Sequence, residues 1–290
     1  MDKQQKQTLK YFKLNSKAKN WYTQAVFSKA KIKNSVFQRN NFVLDYLKNK
    51  KNFNYLDIGC GTGNLVNEVA RYAKFSHGID FSNSMINIAN KKFNKKNIKF
   101  DCLNFLNFKS DVKYDYISAN GFIEYFSEKD LEKIFRILKK SLKKNGRLIF
   151  GSRNRLFNIF SLNKFTSLEI QSKTILSLLE EALMLVNLPY NNFKKKRGLK
   201  FKTINYNQPK TGVNVDLINQ YTPLQIIEFI KKFKFDALSI SPVNYHSVLP
   251  KFKDNQRLAK KFNSQIISKN MHNSDLIPFS STFMVIAKNK

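Results

Sequence analysis

Residues 55–64 read YLDIGCGTGN, and this stretch decides the fold. NYLDIG reads as a strand that runs straight into a glycine loop. Gly59, Gly61 and Gly63 alternate there with Cys60 and Thr62, and Asp57 stands two residues before the first of them. Glycines in such a turn remove the Cβ atoms that would keep a ligand from the main chain. NLVNEVARYA behind the loop reads as a helix. A strand, a bare turn and a helix in that order cradle a nucleotide-like cofactor.

The same alternation continues downstream. FSHGIDFS reads as a second strand ending at Asp80, and SMINIANKKF as a helix capped by Ser84. NIKFDCLNF holds a third strand and KYDYISANGFIEYF a fourth with its exit loop. EKDLEKIFRILKKSLKKNG is an amphipathic helix with Leu131, Ile134, Phe135 and Leu138 on one face, expected to stop at Gly146. RLIFGSRNR is a fifth strand. Upstream, residues 35–50 have helical spacing through Val36, Phe37, Val43, Leu44 and Leu47. The pattern predicts an α/β protein, a doubly wound, Rossmann-like sheet of seven mostly parallel strands.

The alternation then breaks. TSLEIQSKTILSLLEEALMLVNL reads as one long helix opened by a capping box of Thr166 and Glu169. Between Glu181 and Asp216 there is no acidic residue, and KKKRGLKFK (194–202) lies inside that stretch. TPLQIIEFIKKFKF (222–235) resumes the core as a helix with Pro223 in its first turn. ALSISPVNY is a sixth strand. STFMVIAK is a seventh, antiparallel, at the sheet edge. The expected organisation is a basic helical extension over 1–34, a cofactor-binding core over 35–155, an inserted helical cap over 156–220, and the rest of the core over 221–290.

The glycine spacing discriminates between cofactors. The dinucleotide pattern G-x-G-x-x-G, counted from Gly59, needs a third glycine at position 64, which is Asn64. A dinucleotide also needs its pyrophosphate on the helix N-terminus. S-adenosylmethionine (SAM) has no phosphate. It offers a carboxylate for loop N–H groups, an ammonium for an acid and two ribose hydroxyls. Asp57 suits the ammonium, and Asp80 the ribose.

With LDIGCGTGN, GIDFSNSMINIA and YDYISANGFIEYF before a helix ending in KKNG, the chain resembles the class I SAM-dependent methyltransferases. The resemblance covers residues 40–155 well and 222–290 more loosely. It implies SAM as cofactor, contacted by Asp57, Gly59, Cys60, Gly61, Gly63, Asp80, Phe81, Asn104, Phe105 and Asn120. Asn104 stands where the family usually has an acid for the adenine; its amide oxygen can still accept from the adenine amino group, and the alternative is an ordinary Asx-turn residue.

The acceptor is read less directly. The loop Asn120-Gly121-Phe122-Ile123 lacks the Asn/Asp-Pro-Pro-aromatic signature of base amino methylation, and neither Cys60 nor Cys102 is placed as a pyrimidine nucleophile. The exit SRNRLFNIF resembles the small-molecule and glycan branch, similar to ubiquinone-type O-methyltransferases. This implies a small-molecule or glycan acceptor methylated at oxygen, with Arg153, Asn154 and Tyr221 on the acceptor and His246 as base. Rival readings are an RNA methyltransferase using the basic cap and a non-catalytic SAM-binding module. No metal is expected.

Composition bounds the remainder. The 290 residues carry 52 Lys+Arg against 20 Asp+Glu, a formal net charge of +32. Such a field attracts nucleic acid or an anionic membrane surface. Crowding with Lys, Asn, Ile and Phe, spread along the chain, argues equally for compositional drift. No apolar run reaches the roughly 20 residues of a membrane span, and the first 20 residues have no signal-like apolar region. Two thiols suggest neither disulfides nor a zinc site. The expected location is cytoplasmic.

Overall fold

The computed structural model describes residues 6–10, 35–200, 219–250, 256–270 and 272–290. Residues 6–10 are helical, while the remainder of the expected 1–34 extension lies outside the described residues. Helix α1 (Ser35–Leu47) precedes β1 (Asn54–Ile58), α2 (Asn64–Val69), β2 (Phe75–Asp80), α3 (Asn83–Lys92), β3 (Ile98–Cys102) and β4 (Tyr114–Ala119). Then come α4 (Glu128–Ser141) and β5 (Leu142–Arg153). Four helices interrupt the alternation: α5 (Phe157–Ser161), α6 (Lys164–Gln171), α7 (Ile175–Asn187) and α8 (Tyr190–Phe193). The chain returns through α9 (Pro223–Lys231), β6 (Phe235–Tyr245), α10 (Gln256–Lys269) and β7 (Ser280–Asn289).

The sheet order is β3-β2-β1-β4-β5-β7-β6. Strands β1 to β5 pair in parallel, and β7 runs antiparallel to both β5 and β6. The period-2 alternation of strand side chains feeds two cores. Leu56 and Ile58 of β1, Leu148 and Phe150 of β5, and Phe283 and Val285 of β7 join Leu131, Ile134 and Phe135 of α4. Tyr55, Ile149, Met284 and Ile286 point the other way, onto Phe42, Val43 and Leu47 of α1. Helices thus cover both faces, as a parallel sheet requires.

Five local expectations are corrected. β7 is antiparallel as expected but interior; β6 takes the edge, where Pro242 and its missing N–H are tolerated. The helix before β5 stops at Ser141, not Gly146, because Leu142 is already extended. The turn is taken inside β5: Asn145 adopts φ 63°, and the register jumps from Tyr114↔Leu142 to Tyr116↔Arg147. Ser84 lies inside α3, and Ser82 occupies the cap position. The segment 164–187 is two helices, broken where Lys173 adopts φ 56°. Its capping box joins Asn163 with Thr166, since Glu169 is turned inward to Arg155.

Candidate active site

The glycine loop hangs between the ends of β1 and β2. The Gly59 and Cys60 N–H groups both donate to the Ile79 carbonyl, at 2.8 and 3.0 Å. Gly61, at φ 54°, donates its N–H to Asp80 Oδ2 at 3.0 Å. A Cβ built on Gly61 meets nothing within 4 Å, so this glycine opens onto a cavity that it also lines. Gly63 is different. At φ 75° it caps α2, and its Cβ would lie 2.5 Å from the Phe100 ring. One glycine therefore leaves open space at the cavity and the other serves packing.

Asp80 is buried at the tip of β2. Its Oδ1 accepts from Ser82 N–H at 2.8 Å while Oδ2 holds Gly61. Burial pushes its pKa up to about 6, against the pull of those N–H groups. Asp57 is also buried, and Ser118 donates its hydroxyl to Asp57 Oδ1. Burial raises its pKa to about 7, with the Asp80 charge adding to the effect. Asp57 is not among the cavity-lining residues; its hydrogen bond with Ser118 joins β1 to β4. Cys60 packs beside Gly78, and burial pushes its thiol well up. The carboxylates thus differ in place, with Asp80 on the cavity wall and Asp57 off it.

The remaining wall comes from three strand exits. Phe81 and Met85 follow β2, Leu103, Asn104 and Phe105 follow β3, and Asn120, Gly121 and Phe122 follow β4, joined by Tyr125 and Phe126. Thr8 closes the wall from the N-terminal helical stretch. The Asn104 side chain lines the cavity, but its Oδ1 accepts from Leu106 N–H at 3.0 Å and caps a short 3-10 turn over Phe105–Asn107. The Asx-turn reading therefore describes its oxygen. Asn120 donates its amide to Asn40 Oδ1 at 3.1 Å, while its own Oδ1 is buried with no hydrogen-bond partner. A bare Gly61 cradle, an ionisable Asp80 and an orphaned Asn120 acceptor fit a ligand that brings hydroxyl and ammonium donors.

The residues read for the acceptor side do not all converge. Arg153 stands 4.0 Å from Glu124 Oε1, and Arg39 of α1 stands 3.9 Å from the same atom. Glu124 is buried beside Tyr125, and burial with the Glu124 charge raises the Tyr125 phenol to about 12. Asn154 is fully enclosed. Its amide donates to the Ile277 and Ser280 carbonyls, both at 2.7 Å, and its Oδ1 accepts from Leu156 N–H, so it clamps the β5 exit. Tyr221 is buried within the larger core, and its backbone bridges to Asn154. His246 stacks on Phe157 with centroids 4.6 Å apart, and burial lowers its pKa to about 4. It follows the edge strand and is absent from the cavity wall. Arg155 is committed elsewhere: it forms a buried bidentate pair with Glu169, at 2.9 and 2.7 Å.

Residues 49–207 match the family described as a methyltransferase domain. The chain belongs to that family. The family is SAM-dependent. Its sequence relatives include a malonyl-[acyl-carrier protein] O-methyltransferase of Bacillus cereus, 31% identical over 99 residues, which are 33% of this chain and 36% of that protein. Its counterpart in Acetivibrio thermocellus is 34% identical over 117 residues, 39% of this chain and 40% of that one. A ubiquinone biosynthesis O-methyltransferase of Coxiella burnetii is 27% identical over 108 residues, 36% and 45% of the two chains. The match therefore spans less than half the length of these relatives. Among solved structures it resembles magnesium protoporphyrin IX methyltransferase from Synechocystis with bound SAH, with a TM-score of 0.60 and 12% identity over 99% of this chain and 100% of that one. It also resembles the N-methyltransferase NodS from Bradyrhizobium japonicum, with a TM-score of 0.55 and 11% identity over 98% of each chain. At such identities the likeness is one of fold.

Several cavity residues of this methyltransferase escaped the sequence reading. Tyr125 and Phe126 stood in the quoted GFIEYF segment and were signalled by its aromatic density. Met85 and Leu103 flank the strand tips in positions that local pattern assigns to the core. Thr8 carried no signal, nor did Arg39, which packs against the wall residue Gly121 without lining the cavity, because their place depends on how distant elements pack.

Proposed function

We propose that this methyltransferase transfers a methyl group from SAM to an oxygen of a small molecule or glycan precursor bearing an anionic group. The carrying observation is a single cavity whose wall runs from Gly61 and Asp80, past Asn120, to the rings of Phe122, Tyr125 and Phe126. When bound, SAM supplies a sulfonium methyl that is already electrophilic, which leaves binding, orientation and exclusion of water to the protein. Asp80 is suited to accept from the ribose hydroxyls, the Gly61 turn to approach the methionine arm, and Asn120 Oδ1 to accept from its ammonium. Phe105 and Phe122 provide apolar cover. Asp57 is off the cavity wall and ties β1 to β4 through Ser118.

Arg39 and Arg153 flank buried Glu124, and Arg39 packs against the wall residue Gly121, which supports an anionic acceptor near that wall. Oxygen as the methylated atom is supported by the activities of the sequence relatives, which are O-methyltransferases. His246, being off the wall, gains no support as the base, and Asn154 and Tyr221 are better suited to holding the β5 exit.

The test is transfer of labelled methyl from SAM into a fractionated cell extract, with mass analysis of the product. A labelled small molecule methylated at oxygen is expected. Arg153→Ala is expected to raise KM for that acceptor on the order of tenfold with SAM affinity unchanged. Label confined to RNA, or absent from every fraction while SAM binds, would reject the reading.

A further inference from the structure

The cap contains a helix that is apolar on two sides. α7 turns Leu178, Ala182 and Leu185 inward, and all three are buried. Its other side carries Leu176, Leu179, Leu183 and Val186, spaced i, i+3, i+7 and i+10, with exposures of 68, 39, 55 and 46%. α6 packs against α7 and also carries exposed Leu168 and Ile170, which two residues apart lie on different sides of it. Single exposed aliphatic residues are ordinary on protein surfaces; a continuous helical stripe marks a surface that meets another apolar phase.

The surrounding charge has one sign. Lys164, Lys173, Lys195, Lys196, Arg197 and Lys200 are exposed. Of the three acids between residues 157 and 200, Glu169 and Glu181 are buried, which leaves Glu180 alone at the surface. The exposed charge of this region is thus six cations against one anion.

The chemistry of the stripe selects among anionic partners. RNA is gripped by aromatic rings and planar guanidinium groups on which bases stack. Protein partners are anchored mainly by Trp, Tyr and Arg. The stripe is wholly aliphatic, and the exposed cations of the region are mostly lysines, whose long stems can lie along apolar surface while the ammonium stays in water. We propose that the α6–α7 face of the cap binds the surface of an anionic lipid bilayer, its leucines entering the headgroup boundary and its lysines pairing with lipid phosphates. At 13 residues α7 is too short to span, and among the described residues no helix is long and apolar enough to cross a membrane. This mode of attachment lies in the membrane plane, and it does not depend on the proposed reaction.

Vesicle flotation of the full chain tests it, with phosphatidylcholine vesicles compared with phosphatidylglycerol-rich ones. Binding to the anionic vesicles alone is expected, weakening as salt is raised. Replacing Lys195, Lys196 and Arg197 together by Gln should weaken it roughly 100-fold. Leu176→Ser with Leu179→Ser and Leu183→Ser should weaken it at least as much, while the thermal midpoint and SAM affinity of this exposed-face variant stay near wild type. Absence of vesicle binding overturns the proposal. So does a concentration-dependent dimer that the serine variant dissolves without any vesicle binding, or RNA binding lost with the lysines and indifferent to the leucines.

Discussion

Gly61 and Gly63 sit two residues apart in one turn, yet alanine at each should fail in a different way. At Gly61 the added Cβ meets no protein atom within 4 Å, so folding bears only the left-handed backbone cost of about 1–2 kcal/mol. That methyl would project into the cavity proposed for the cofactor. Gly61→Ala should melt slightly early and lose SAM binding by calorimetry. At Gly63 the Cβ would stand 2.5 Å from Phe100 and 3.0 Å from Ala89, and overpacking adds about 1–3 kcal/mol. Gly63→Ala should mainly lower the melting temperature. Equal loss of stability in the two variants would contradict this division. Asp80 adds a pH signature. Its folded pKa is raised to about 6, so the carboxylate proposed to accept from the ribose is progressively protonated as pH falls through 6. SAM affinity should therefore drop on acidification through that value. Asp80→Asn should bind about 1.5–3 kcal/mol more weakly at pH 8 and show a flatter pH profile.

At the scale of elements, the cap is attached to the sheet through polar contacts as well as apolar ones. Arg155, just past β5, pairs with Glu169 of α6, and Asn158 and Thr174 also donate to that carboxylate, at 2.9 and 2.6 Å. The four donors hold the Glu169 pKa below its usual value despite burial, with the Arg155 hydrogen bond leading among them. Removing one partner of a buried pair leaves the other charge uncompensated, at about 3–5 kcal/mol. Arg155→Met should lower stability by that order in denaturant titration, and Arg155→Met with Glu169→Met should recover a large part of it. No recovery in the double variant would mean that the pair is not the unit that matters. Thr222 and Gln225 form the capping box that starts α9 just after the chain returns from the cap, so the restart of the core is fixed locally.

Across the whole molecule, Glu181 ties the cap to the core. From α7 it reaches the start of α9, where Leu224 N–H donates to its Oε1 at 2.8 Å. Burial raises its pKa from 4.5 to about 7. The native state therefore binds more protons than the unfolded chain between those values, and stability falls as pH rises from about 4.5 to about 7. Below that window Glu181 is protonated in both states and costs nothing. Above it the buried charge persists, costing on the order of 1–3 kcal/mol. Glu181→Gln keeps an acceptor for Leu224 and removes the charge. It should raise the melting temperature at pH 8 and leave it nearly unchanged at pH 4. Stabilisation of equal size at both pH values would refute the linkage.

The sequence by itself determined the sheet and its cofactor end. The glycine spacing, Asp80 at a strand tip and the strand–helix alternation are short-range patterns, and a side-chain period of two or 3.6 is written into neighbouring residues. Only the tertiary structure decided what distant segments do to one another. It placed β7 between β5 and β6, left Asp57 off the cavity wall, committed Asn154 and Arg155 to the β5 exit, left His246 on the far edge, brought Thr8 to the cavity and set Arg39 beside Glu124. These outcomes depend on which long-range partner satisfies a buried polar group, and that choice depends on distances through space that adjacent residues do not encode.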